Sequence, residues 1–80
     1  MSGLRVTTTA EVSMELSTYD ADRQREIHEA LDRLADASAQ GAGTPDGVGR
    51  RAELLPGMAF HWVVLEAPRL AIVWQIVLRS

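Results

Sequence analysis

Apolar positions along this chain follow two rhythms, a helical one in the first half and a strand-like one in the second. "LRVTTTA", residues 4–10, is short and β-branched and predicts a first strand. "TAEVSMEL" follows, and Thr8 with Glu11 has the spacing of a capping box that opens a helix. Val12, Leu16 and Tyr19 then fall at i, i+4 and i+7, on one helical stripe. The stripe breaks near "STYD", where Ser17, Thr18 and Asp20 compete for backbone bonds and favour caps. A second helix is predicted through "ADRQREIHEALDRLADASAQ", with Ile27, Ala30, Leu31 and Leu34 as its apolar stripe. Arg25–Glu29 and Glu29–Arg33 are expected as i,i+4 pairs on its wet side. "GAGTPDGVG", residues 41–49, holds four glycines and one proline and predicts a flexible loop with neither helix nor strand. A short edge strand is expected around Ala52–Leu55, stopped by Pro56-Gly57. "FHWVVLEAPRLAIVWQIVL", residues 60–78, predicts two strands, about 59–66 and 70–78. They join at "EAPR", where Pro68 lacks an amide proton for a ladder.

Neither of these last two strands has a polar face, whereas a hairpin in a small domain ordinarily buries one face and wets the other. Strict alternation puts Phe60, Trp62 and Val64 on one side, and Ala71, Val73, Gln75 and Val77 on one side of the following strand. One set packs on the helices. The other needs a cover, because proteins rarely expose an apolar patch beyond a few hundred Å². The interface expected from this reading comprises Phe60, Trp62, Val64, Ala71, Val73 and Gln75. Two tryptophans in 80 residues favour it, tryptophan being enriched at interface centres.

Composition narrows the options. Eighty residues make one domain, 1–80, which buries only roughly 60–65% of the surface of its unfolded chain. The chain has no cysteine, and His28 and His61 stand too far apart for a ligand pair, so neither a metal site nor a cofactor is expected. Glu66, Pro68 and Arg69 interrupt the one apolar stretch of membrane-spanning length, and no leader pattern precedes it, so a cytoplasmic protein is expected. Residues 11–36 carry eight acids against Arg23, Arg25 and Arg33, netting −5, while residues 50–80 net +2. All eight basic residues are arginine, yet no strongly basic face is evident, and a nucleic-acid partner is not expected. "GAGTPDGVGRR" lacks the lysine and following hydroxyl of a phosphate loop. Arg50, Arg51, Arg69 and Arg79 remain candidates for contact with an anion or an acidic partner. His61 is the titrating side chain of the hairpin, without a nucleophile at useful spacing, and reads as a packed or rim residue. Met14 and Met58 read as core or gap-filling residues.

The succession of a strand, a helical hairpin containing "EIHEALDRLAD", a loop and "ELLPGMAFHWVVLEAPRLAIVWQIV" resembles the RelE/ParE superfamily, the small toxins of bacterial type II toxin–antitoxin pairs. "LAIVWQIV", Leu70 to Val77, stands where the family has a "YRVxYxV"-like strand. The resemblance implies an α+β fold, β-α-α-β-β(-β), with two antiparallel helices on one face of a small, mainly antiparallel sheet. It also implies a cognate antitoxin-like protein as partner. In the ribonuclease branch, basic side chains on the middle strands hold the RNA phosphate. The matching positions here are Trp62 and Val64, and the family's strand arginine falls on Ala71. Without positioned charge a phosphoryl-transfer site lacks its main catalytic contribution, so no catalytic residue is assigned. The expected function is protein association through an apolar sheet face, with self or with an antitoxin-like protein. The alternatives are a small homodimeric assembly protein, and an mRNA endoribonuclease using rearranged arginines.

Overall fold

The computed structural model describes residues 5–39, 43–47, 49–66 and 69–78. Its elements are β1 (Arg5–Thr8), α1 (Ala10–Leu16), α2 (Ala21–Ala39), β2 (Thr44–Asp46), β3 (Gly49–Leu55), β4 (Met58–Glu66) and β5 (Arg69–Leu78). The strands form one sheet in the order β1-β5-β4-β3-β2. β1 runs parallel to β5, and the other three pairings are antiparallel. This is a small α+β fold with both helices against one face of a mixed sheet.

The two helices form where the apolar stripes predict them. Val12 and Leu16 from α1, and Ile27, Ala30, Leu31 and Leu34 from α2, are buried against Met58, Phe60, Trp62, Ala71, Val73 and Ile76 of the sheet. Tyr19 packs half-buried against this core. The cap of α1 is Thr9 rather than Thr8: the Val12 amide donates to Thr9 Oγ1 at 3.3 Å. Thr8 instead lies in β1 and pairs its hydroxyl with that of Ser13 at 2.6 Å. Asp20 caps α2, accepting from the Arg23 amide at 2.8 Å. The expected i,i+4 pairs do not form among the described residues. Arg23–Glu26 and Arg25–Asp22 pair at i,i+3 instead, at 3.3 and 3.4 Å. Both are exposed pairs of small energetic weight. Met58 is in the core as expected, but Met14 is 72% exposed, on the α1 face opposite Val12 and Leu16.

The stretch expected to be a flexible loop contains a strand. Thr44, Pro45 and Asp46 pair with Arg51, Arg50 and Gly49. Pro45 is tolerated because β2 is the edge of the sheet, where one side of the strand needs no donors. β3 is therefore not an edge strand, as its sequence led us to expect. It is longer than that expectation and lies between β2 and β4. Two glycines of this region are fixed by their neighbour Trp62. A Cβ at Gly43, whose φ is +94°, would stand 2.8 Å from Cη2 of that indole, and one at Gly49 would meet the Trp62 carbonyl oxygen. Residues 4, 40, 41, 42, 48, 67, 68 and 79 of the expected elements and sites lie outside the described residues.

The largest departure from the alternation reading is in β5. Met58, Ala59, Phe60 and His61 pair with Leu78, Val77, Ile76 and Gln75, but Trp62 pairs with Val73. Trp74 is thus an extra residue, a β-bulge, and it shifts the phase of the strand by one. Before it, Ala71 and Val73 face the helices; after it, Ile76 does. A strictly alternating strand would have turned the Gln75 amide toward the core with Val73; the bulge keeps it exposed. A second irregularity between Glu53 and Leu55 leaves both Leu54 and Leu55 against the core.

Candidate functional site

The expected interface must be corrected in the light of this geometry. Phe60, Ala71 and Val73 are fully buried, and Trp62 is 1% exposed; they are the surface on which the helices pack. Of that set only Val64 and Gln75 are exposed. The expectation failed because Trp62 was assigned to the open side, and because strict alternation does not hold through Trp74.

No helix of the described residues covers the other face of the sheet. Residues directly opposed across antiparallel strands share a face, so the register lists its rows. One row is Thr44, Arg51, His61 and Gln75, crossing β2 to β5. Glu53, Ala59 and Val77 form the row on one side of it. Val63 with Ile72, then Leu65 with Leu70, continue on the other side. Trp74 joins this face at the bulge: its ring lies against His61, with centroids 5.5 Å apart and planes tilted by 60°. Leu65, Trp74 and Val77 are 43, 43 and 37% exposed. The polar row is flanked by an open depression of about 440 Å³, lined by Thr44, Arg51, Ala52, Glu53, Ala59, His61 and Val77.

The four candidate arginines do not converge. Arg50 and Arg51 are adjacent, so they point to opposite faces. Arg51 enters the depression, while Arg50, opposite Trp62, donates to the Gly43 carbonyl at 3.1 Å. Arg69 is exposed at the start of β5, opposite Glu66. Arg79 is outside the described residues. Trp62 and Ala71, whose apolar character argued against phosphate chemistry, face the core and so say nothing about the open face. Trp74, Arg51, Glu53 and His61 are the residues that sequence reasoning missed as a group. The available signal was in β3, where Arg51 and Glu53 alternate with Ala52 and Leu54 and so mark the outward side. The Trp62 Nε1–H is buried and has no acceptor among the described residues.

A smaller groove of about 180 Å³ lies between the helices, with Ser13, Ser17, Gln24 and His28 along it. Its polar groups are partly engaged locally: Ser17 donates to the Met14 carbonyl and Gln24 to the Tyr19 carbonyl. Among the described residues there is no group of acidic, histidine or cysteine side chains fit to hold a metal ion, and no helix long and apolar enough to cross a membrane. No protein-family model, no curated protein and no solved structure matches the chain.

Proposed function

We propose that the chain is a small protein-binding module, related in kind to the RelE/ParE toxin–antitoxin components, that works by association through the uncovered face of its sheet. One observation carries this reading: Trp74, Leu65 and Val77 are exposed along a sheet face that no helix of the described residues covers. The apolar side chains of such a face leave water only when another molecule sits on it. The succession of a strand, two helices and a run of strands agrees with the relationship in kind. Trp74→Glu tests the association. The variant is expected to keep its fold, since the side chain lies outside the core, and to lose binding of its protein partner. A variant that binds unchanged would exclude this face. Toxicity has its own test, expression alone in a bacterial host. Growth arrest relieved by the product of a neighbouring gene supports a toxin–antitoxin pair; unaffected growth leaves a plain association module.

A second reading is favoured by a specific feature of the same face. Arg51, Glu53 and His61 line one depression beside an exposed indole. An arginine for a phosphate and an acid–base pair are what cleavage of an RNA phosphodiester requires. Under this reading Arg51→Ala abolishes RNA cleavage while the unfolding midpoint stays near that of the parent chain. Absence of cleavage by the parent chain, including on ribosome-bound messenger, removes the reading.

A further inference from the structure

The uncovered face carries both halves of a contact, which says what kind of molecule closes it. Trp74 is 43% exposed at the bulge, with its ring against His61, and the depression lined by Arg51, Glu53, His61 and Val77 lies next to it. We propose that a second copy of this chain closes the face, with Trp74 of each copy seated in the depression of the other. The inference rests on the association reading above and names its partner.

Three physical points support self-association. The first is shape. A knob and a hollow on one surface are mutually satisfied under a two-fold axis, because the contact made by one copy is repeated by the other. Tryptophan is among the side chains that contribute most in such a seat, and Trp74 has 43% of its surface still exposed to bury there. The second is charge. Arg51 and Glu53 sit two residues apart on the same face of β3. A face of mixed sign meets its own copy without the repulsion that a face of one sign would bring. Glu53 keeps its local contact, accepting from the Gly57 amide at 3.2 Å. The third is area. Five strands at about 4.8 Å spacing and about 3.3 Å per residue give a projected face of roughly 500 Å². Side-chain relief raises the accessible area above the projection, which brings two faces to about the 1,200 Å² at which specific interfaces begin. The product is a two-layer sandwich of sheets about 10 Å apart, with the helices on the outside of both.

The test is sedimentation equilibrium on the full chain over a wide dilution series, with the variants Trp74→Ala, Arg51→Glu, Glu53→Arg and the double charge swap. The parent chain is expected at a mass near twice 8.8 kDa when concentrated. Trp74→Ala is expected to raise the dissociation constant about 30-fold or more, as loss of a central anchor does, with an unchanged circular dichroism spectrum. Each single charge change gives the face an excess of one sign and is expected to weaken the dimer, and the double swap to restore it; the unfolding midpoint of the diluted monomer, measured alongside, separates lost contact from lost folding. Because Trp62 is already buried, a shift of indole emission on dilution reports Trp74. A parent chain that stays at 8.8 kDa, with emission independent of concentration, overturns the proposal. If Trp74→Glu nonetheless abolishes binding of a different protein, the association reading survives and only the self-partner falls. A dimer that no variant weakens places the contact on another surface and overturns both.

Discussion

Trp62 is enclosed by the helices on one side and by Gly43 at its rim, so truncating it leaves a void that these neighbours refill only in part. Trp62→Ala is expected to cost about 3–5 kcal/mol, a large fraction of the stability of any domain this small. Trp62→Phe is expected to cost less than about 2 kcal/mol. It keeps most of the ring and also removes an N–H that is buried without an acceptor among the described residues, a group that itself costs about 1–3 kcal/mol. Trp74→Ala, measured at a concentration low enough to keep the chain monomeric, is expected to change stability by less than about 1 kcal/mol. Urea unfolding of the three variants checks the ranking, and a Trp74 variant as damaging as Trp62→Ala would show that the bulge indole belongs to the core. Gly43→Ala is expected to destabilise by about 1–2 kcal/mol, since its φ of +94° and the nearby indole both oppose a Cβ.

At the scale of elements, the caps and the bulge decide where each segment begins and which way it faces. Thr9→Ala and Asp20→Ala are each expected to cost about 1 kcal/mol, because each removes the acceptor of an orphan helix amide. Thr8→Ala is expected to cost less, its hydroxyl bonding only to an exposed Ser13 side chain. Equal losses at Thr8 and Thr9 would move the start of α1. The bulge makes a less obvious prediction. Deleting Trp74 closes the register so that Gln75 follows Val73 directly, and Ile76 still faces the helices. The deletion variant should therefore unfold cooperatively, with a loss of no more than about 2 kcal/mol, while losing self-association. A molten variant would show that the bulge is needed for the twist of the sheet. These elements also show how far the sequence could be read. Ile27, Ala30, Leu31 and Leu34 announce α2 because charged residues separate them, and every one of them is buried. The limits of β4 and β5 were legible from the turn residues between them. The facing of β5 was not, because a phase slip leaves no mark in a strand whose residues are nearly all apolar. Gln75 alone marks it, for an amide in phase with Ala71 and Val73 would have been buried without an evident partner. β2 was hidden by its own composition: Pro45 and the surrounding glycines argue against a strand in general, but not against a three-residue edge.

For the molecule as a whole, the exposed face and the small size bear on the same quantity. A chain of 80 residues buries a modest share of its surface, and the helices cover only one side of its sheet. Closing the other side with a second copy adds apolar burial that the lone chain cannot supply. Anything that binds the native state and not the unfolded one stabilises by mass action, so the thermal midpoint of a dimer depends on protein concentration. For a domain of this length the midpoint is expected to rise by about 3–6 °C for each tenfold increase in concentration above the dissociation constant. The dependence should vanish below the raised dissociation constants of Trp74→Ala and of the single charge variants, and return at those concentrations in the double swap of Arg51 and Glu53. Differential scanning calorimetry over a dilution series reads this directly. A parent chain whose midpoint is independent of concentration folds without help from a second copy. The sheet face carrying Trp74, Leu65 and Val77 would then be exposed in the stable native molecule, a surface kept at the expense of solubility and open to a protein other than itself.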